Sequence, residues 1–108
     1  MAVLTIRAHK RYAVRQFVTL RKAGEEPAKG LLIELSSEGC RISNVKRGMF
    51  EAGDGVTLKF DELTLQGYIR WAHNEVVGLR LEHALYNGQL GEMIARGRCE
   101  DEIVRYGT

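Results

Sequence analysis

The sequence predicts an all-β fold: a small six-stranded antiparallel β-barrel with a C-terminal α-helix. Three observations carry the prediction. Short runs of β-branched, aromatic and aliphatic residues recur at close spacing along residues 16–81. Gly, Asn, Asp and Ser cluster between them, where a chain must reverse. After residue 83 the apolar spacing changes from two to a helical period. The spacing does not set the strand order.

Taken in order, residues 1–14 show no apolar period of their own and read as a flexible basic arm. Gln16 to Leu20, with Phe17, Val18 and Thr19, reads as the first strand. Arg21 to Pro27 holds Gly24 and the only proline, and reads as a loop. Gly30-Leu31-Leu32-Ile33 opens the second strand, in which alternation points Leu31, Ile33 and Leu35 inward. Glu34-Leu35-Ser36-Ser37-Glu38-Gly39 then carries the chain through a tight reversal. Cys40 to Ser43 is the third strand, and 44–55 a glycine-rich loop. Val56, Leu58 and Phe60 alternate with Thr57 and Lys59 in the fourth strand, the cleanest strand signal in the chain. Asp61-Glu62 reverses it. Leu63, Leu65, Ile69 and Trp71 share one face of a fifth strand, with Gly67 marking a bulge or bend. Ala72 to Asn74 is a turn, and Val77, Leu79 and Leu81 form the sixth strand. Residues 15–83 are therefore the barrel. Leu90, Met93, Ile94 and Gly97 follow helical spacing over 87–98, with Asn87 as N-cap. Gly91 weakens that helix by about 1 kcal/mol relative to alanine, so docking to the sheet must hold it.

Composition narrows the function. A chain of 108 residues, 44% hydrophobic and 28% charged, suits one globular domain spanning 1–108. Cys40 and Cys99 are far apart and outside any C-x-x-C pattern, and His9, His73 and His83 lie on separate segments. This argues against a disulfide framework and a metal site, and fits a reducing, cytoplasmic setting. No apolar run is long enough to span a membrane, and Met1 to Ile6 lacks the apolar core of a signal peptide. No nucleophile–base pair or paired catalytic carboxylates can be assembled, so an enzyme is not expected and no cofactor is required. A nucleic-acid-binding barrel would spread aromatics over an exposed sheet face, and eight aromatics, several of them assigned to the core, supply few.

Charge is unevenly placed. Residues 1–22 contain six basic side chains and no acid, while the rest of the chain has ten basic against fourteen acidic. Such an arm is either a solvated tail or a site for an anionic partner. Two motifs favour the second. Arg11-x-x-x-Arg15 stands just before the first strand, and Glu34-x-Ser36-x-x-Gly39 ends the second.

Together these resemble the two signatures of the PilZ domain, R-x-x-x-R and Asp/Asn-x-Ser-x-x-Gly, at the family's spacing. Gly67-Tyr68-Ile69-Arg70-Trp71 followed by Val77-Gly78-Leu79-Arg80-Leu81 is similar to the family's later strands. The resemblance covers nearly the whole chain. It implies a six-stranded barrel that binds the bacterial second messenger cyclic di-guanylate (cyclic di-GMP) without catalysis and signals through a partner protein. It assigns ligand contacts to Arg11, Arg15, Glu34 and Ser36, with Gly39 keeping the turn tight. Lys10, just before the arginine motif, is the position linked in the family to binding a stacked nucleotide pair. The chemistry agrees with the resemblance. Guanine O6 and N7 suit a bidentate arginine, a guanidinium can pair with phosphate, and a serine hydroxyl can donate to a phosphate oxygen. A carboxylate can accept from guanine N1 and N2. Trp71 has two readings, a base-flanking aromatic or a core residue. One departure stands out: Glu34 replaces the consensus Asp or Asn, one methylene longer. The resemblance therefore also admits a PilZ-fold interaction module that does not bind nucleotide.

Overall fold

The strand order is not the chain order. In the computed structural model, which describes residues 11–86 and 88–96, six strands close into an antiparallel barrel in the order β1-β2-β3-β6-β5-β4. They are β1 (Tyr12–Lys22), β2 (Ala28–Leu35), β3 (Gly39–Ser43), β4 (Gly55–Phe60), β5 (Leu63–His73) and β6 (Val76–Leu81). Tight reversals join β2 to β3, β4 to β5 and β5 to β6. The long loop from β3 to β4 lets β6 sit beside β3, and β1 closes the barrel against β4. A helix, α1, follows over 88–96.

The core is the inward face of every strand. Leu32, Leu35, Ile42, Leu58, Phe60, Ile69 and Met93 have side chains with essentially no solvent contact. Met93 comes from α1, and Leu90 and Ile94 pack beside it, so the helix docks its apolar face on the core, as its spacing requires. Arg96 fastens its far end. Its guanidinium donates to Asp61 in the β4–β5 turn at 2.8 Å and to Glu92 at 2.9 Å. The bond to Asp61 first, and that to Glu92 second, hold Arg96 above its ordinary pKa. Asn87, Gly97 and Arg98, expected in the helix, and residues 1–10, expected in the arm, lie outside the described residues.

Several expectations are corrected. β1 begins at Tyr12, so Tyr12 to Val14 are strand rather than arm, and Arg15 lies inside the strand. Arg21 and Lys22 extend its other end. β5 continues through Ala72 and His73, leaving only Asn74 and Glu75 for the turn; Asn74 takes the left-handed conformation, at φ 57°, that asparagine tolerates. Gly67 carries no bulge. It pairs regularly with Val56 and Leu81, and the Arg80 backbone packs so closely that a side chain would collide with it.

The larger corrections come from β-bulges. The β2–β3 register shifts between Leu32 and Glu34, so Ile33 is an extra residue. Inward positions are therefore Gly30 and Leu32 before it and Leu35 after it, and Leu31 and Ile33 are only half-buried. The β5–β6 register shifts between Ile69 and Trp71, with Arg70 as the extra residue. A bulge reverses the side-chain alternation beyond it. It sends Trp71 outward, 39% exposed, from a strand face that Ile69 buries completely.

Cys40 is buried in the core beside these elements, and burial pushes its thiol from the ordinary value near 9 up to about 12. The folded protein thus favours the neutral thiol. The stability this contributes is fully present below pH 9 and is lost as pH rises toward 12. Cys40→Ala should lose packing at neutral pH, yet its stability should fall less steeply than wild type across that window. Thermal melts from pH 8 to about 11 measure the two slopes; parallel curves would contradict the assignment.

Candidate functional site

The β2–β3 reversal is built by Ser36. Its amide donates to the Gly39 carbonyl at 2.9 Å. Its hydroxyl accepts from the amides of Glu38 at 3.3 Å and Gly39 at 3.2 Å, and donates to the Gly39 carbonyl at 3.3 Å. One donor and two acceptor sites are all a hydroxyl has, so Ser36 is fully engaged in the turn. The resemblance assigns it to a ligand; in the structure its hydroxyl is bonded within its own turn. The same turn is pinned to its surroundings, because Leu81 donates to the Glu38 carbonyl at 2.8 Å and Leu85 to the Ser37 carbonyl at 2.7 Å.

Gly39 serves in a different way from the one expected. Its φ is not in the left-handed region. A Cβ there would run into the Leu79 carbonyl oxygen of β6. The glycine therefore lets β3 and β6 approach closely, which brings the turn alongside β6.

Around this turn lies a cleft of about 260 Å³. Of the residues singled out in the sequence, Arg11, Glu34, Ser36, Gly39 and Trp71 line it. Arg15 does not: it is exposed on β1 within another register shift, between Ala13 and Gln16. Lys10 is outside the described residues. The cleft also holds Arg41 from β3, Arg70 from β5, and Glu38 and Arg80 from either side of the Gly39 approach. These four were missed as site residues. Arg41 lies outside both signatures, and Arg70 and Arg80, though within stretches similar to the family's later strands, carried no assigned role; the β3-β6-β5 adjacency makes the three neighbours.

The two bulges aim the site. Without Ile33 as an extra residue, Glu34 would share the inward face of Leu32. With it, Glu34 turns outward and its carboxylate lies between two arginines, 3.4 Å from Arg11 Nη1 and 3.4 Å from Arg41 Nη1. Arg41 is its direct cross-strand partner. Without Arg70 as an extra residue, Trp71 would join the core. Instead its indole lies flat against Gly78, where any Cβ would enter the ring, and the Arg41 guanidinium stands 5.5 Å from the ring centroid. This distance supports a cation–π contact. Arg80 pairs with Glu38 at 3.1 Å. The cleft thus offers four guanidinium groups against two carboxylates, with one aromatic face on its wall. That set suits a planar, anionic ligand: arginines meet phosphates and purine edges, and a ring can stack.

The PilZ domain model matches residues 5–96. The chain belongs to the PilZ family. A solved PilZ-domain protein, the Bacillus subtilis inhibitor of motility MotI/DgrA, shares the fold at a TM-score of 0.65 and 16% identity. The match covers 89% of this chain and 51% of that one, so this chain spans about half the length of that structure. No curated protein matches the chain as a relative. PilZ membership gives the chain a receptor or adaptor kind of role, and PilZ domains are typically non-catalytic. Among the described residues no helix is long and apolar enough to cross a membrane.

Proposed function

We propose that this PilZ domain is a cytoplasmic cyclic di-GMP receptor, without catalysis or cofactor, that acts on an unidentified effector protein. The observation that carries this reading is the convergence of Arg11, the Glu34–Gly39 turn and outward-facing Trp71 on one arginine-rich cleft. Arg11 and Arg41 stand where they can take phosphate or the guanine O6/N7 edge. Glu34 can accept from guanine N1 and N2, and Trp71 can stack on a base. Arg15 lies on β1 outside the cleft and Lys10 immediately precedes Arg11 in the sequence; on this reading nucleotide binding orders the N-terminal arm so that both reach the ligand. The rearranged arm is then the surface the effector meets.

A calorimetric titration with cyclic di-GMP, beside GTP and a single-stranded oligonucleotide, tests the reading. Saturable binding of cyclic di-GMP alone supports it. Equal binding of GTP or of the oligonucleotide would overturn it, and silence with all three would favour a PilZ-fold interaction module that does not bind nucleotide.

One observation gives that second reading its weight: Glu34 already bridges Arg11 and Arg41, so a nucleotide must compete with it. The competition is modest, because both arginines are more than two-fifths exposed and exposed ion pairs contribute about 0–1 kcal/mol. Glu34→Asp withdraws the carboxylate by one methylene and loosens the bridge while keeping an acceptor for guanine. It should tighten binding by about 1 kcal/mol, the scale of one hydrogen bond, or roughly fivefold. Glu34→Gln frees the arginines but gives up the charged acceptor, so it should gain less than Asp. Gln outperforming Asp would make the ion pair the whole obstacle. Weaker binding by Asp than by wild type would show that the barrel has adapted to glutamate.

A further inference from the structure

The face formed by β1, β2 and β4 carries a second groove of about 510 Å³. Phe17, Thr19, Lys29, Lys59 and Asp61 line it, and it shares no residue with the arginine-rich cleft. Phe17 is 67% exposed there. It pairs across the strands with Leu31, which is half-buried on the same outward face. Thr19, two residues on, is in register with Lys29 on one neighbouring strand and with Lys59 on the other. Two strand spacings put the backbones of these lysines about 10 Å apart. Among the described residues neither lysine has an ion-pair partner. Asp61, the acid at the rim, is taken up by Arg96 at 2.8 Å.

We infer that this face docks an acidic segment of a partner protein. One apolar side chain of the segment seats against Phe17, and acids beside it meet Lys29 and Lys59. The strands close into a barrel and leave no edge for an added strand. A partner must therefore be held by side chains, and the face offers an aromatic anchor between two cations. Charge selects the occupant. A second copy would set lysines against lysines, and like charges brought together cost affinity. A nucleic acid would want several stacking rings, and this groove has one. The contact stands whether or not the arginine-rich cleft binds nucleotide.

Short random peptides displayed on phage and selected on the full chain, with no nucleotide present, test this. Those retained should carry acids around one aliphatic or aromatic residue. The strongest of them, synthesised, should shift the amide resonances of Phe17, Thr19, Lys29 and Lys59 and leave those of Arg41 and Trp71 in place. Lys29→Glu with Lys59→Glu should weaken it about tenfold or more, since two attractions become repulsions. Phe17→Thr, which keeps a β-forming residue on β1, should also weaken it. All three positions are exposed, so neither variant disturbs the core. Retained peptides without acids, or binding that survives both variants, would overturn the proposal, as would a selection that retains no peptide. Shifts at these residues with phosphatidylserine vesicles or an oligonucleotide, and with no peptide, would assign the face to a lipid surface or a nucleic acid and overturn it equally. Shifts that appear on concentrating the protein alone would assign it to a second copy, with the same consequence.

Discussion

Replacing Arg11 and Arg15 together by alanine is expected to weaken cyclic di-GMP binding by about a hundredfold or more. Each arginine removed from a charge-assisted contact costs about 1.5–3 kcal/mol, and every 1.4 kcal/mol is about tenfold in affinity. The two need not contribute alike. Arg11 lines the cleft and touches Glu34, so its loss removes a contact and leaves Glu34 held by Arg41 alone. Arg15 stands outside the cleft on β1, within a register shift, and reaches ligand only if β1 and the arm adjust. Arg11→Ala should therefore weaken binding in an unaltered fold. Arg15→Ala reports whether the start of β1 moves when ligand arrives. Calorimetry on the single and double variants reads this out, with thermal melts confirming that both fold. Equal binding by wild type and the double variant would sink the assignment of the arginine motif to the ligand.

How much of this was legible beforehand depends on what periodicity can carry. The alternation of Val56, Leu58 and Phe60 and of Val77, Leu79 and Leu81 is regular in the sequence, and all six are buried. Those strands contain no bulge, so a period of two holds along them. In β2 and β5 the period is interrupted by one residue each, Ile33 and Arg70, and an extra residue has no signature in an apolar pattern. Reading through the interruption placed Leu31 and Ile33 inward and put Trp71 on the same face as Ile69. The motif residues were legible because they are local: Glu34, Ser36 and Gly39 belong to one turn. Arg41, Arg70 and Arg80 were not, since they belong to three strands and come together only when β6 inserts between β3 and β5. Cleft arginines of this kind become visible only once strand order is known. The bulges that defeated the pattern are also what expose Glu34 and Trp71, so the sequence was hardest to read where the site is built.

Leu35→Ala should cost about 2–5 kcal/mol of stability, while its neighbour Ser36→Ala costs about 1 kcal/mol. The two residues are adjacent, yet they act on different links of the chain from sequence to function. Leu35 is fully buried, and the bulge at Ile33 is what turns it inward. Truncating it leaves a cavity at the end of β2, where the strand pairs with Tyr12 on one side and Cys40 on the other. Close packing on both sides limits how far the neighbours can relax into that space. For a domain of this size each kcal/mol lowers the melting temperature by about 4–8 °C, so the shift should be large. Ser36→Ala removes a half-buried hydroxyl whose three bonds lie at 3.2 to 3.3 Å. The Ser36 amide bond to Gly39 remains, and so do the bonds from Leu81 and Leu85 that pin the turn. The barrel should therefore stay folded with a looser turn, and that looseness reaches the ligand through Glu34 and Glu38 on either side. Melts and nucleotide titrations of both variants separate the roles. Leu35→Ala should lower the melting temperature most, and Ser36→Ala should lose affinity out of proportion to its stability. If Ser36→Ala is the variant that unfolds, the turn's hydroxyl is part of the barrel's stability and not mainly of its binding surface.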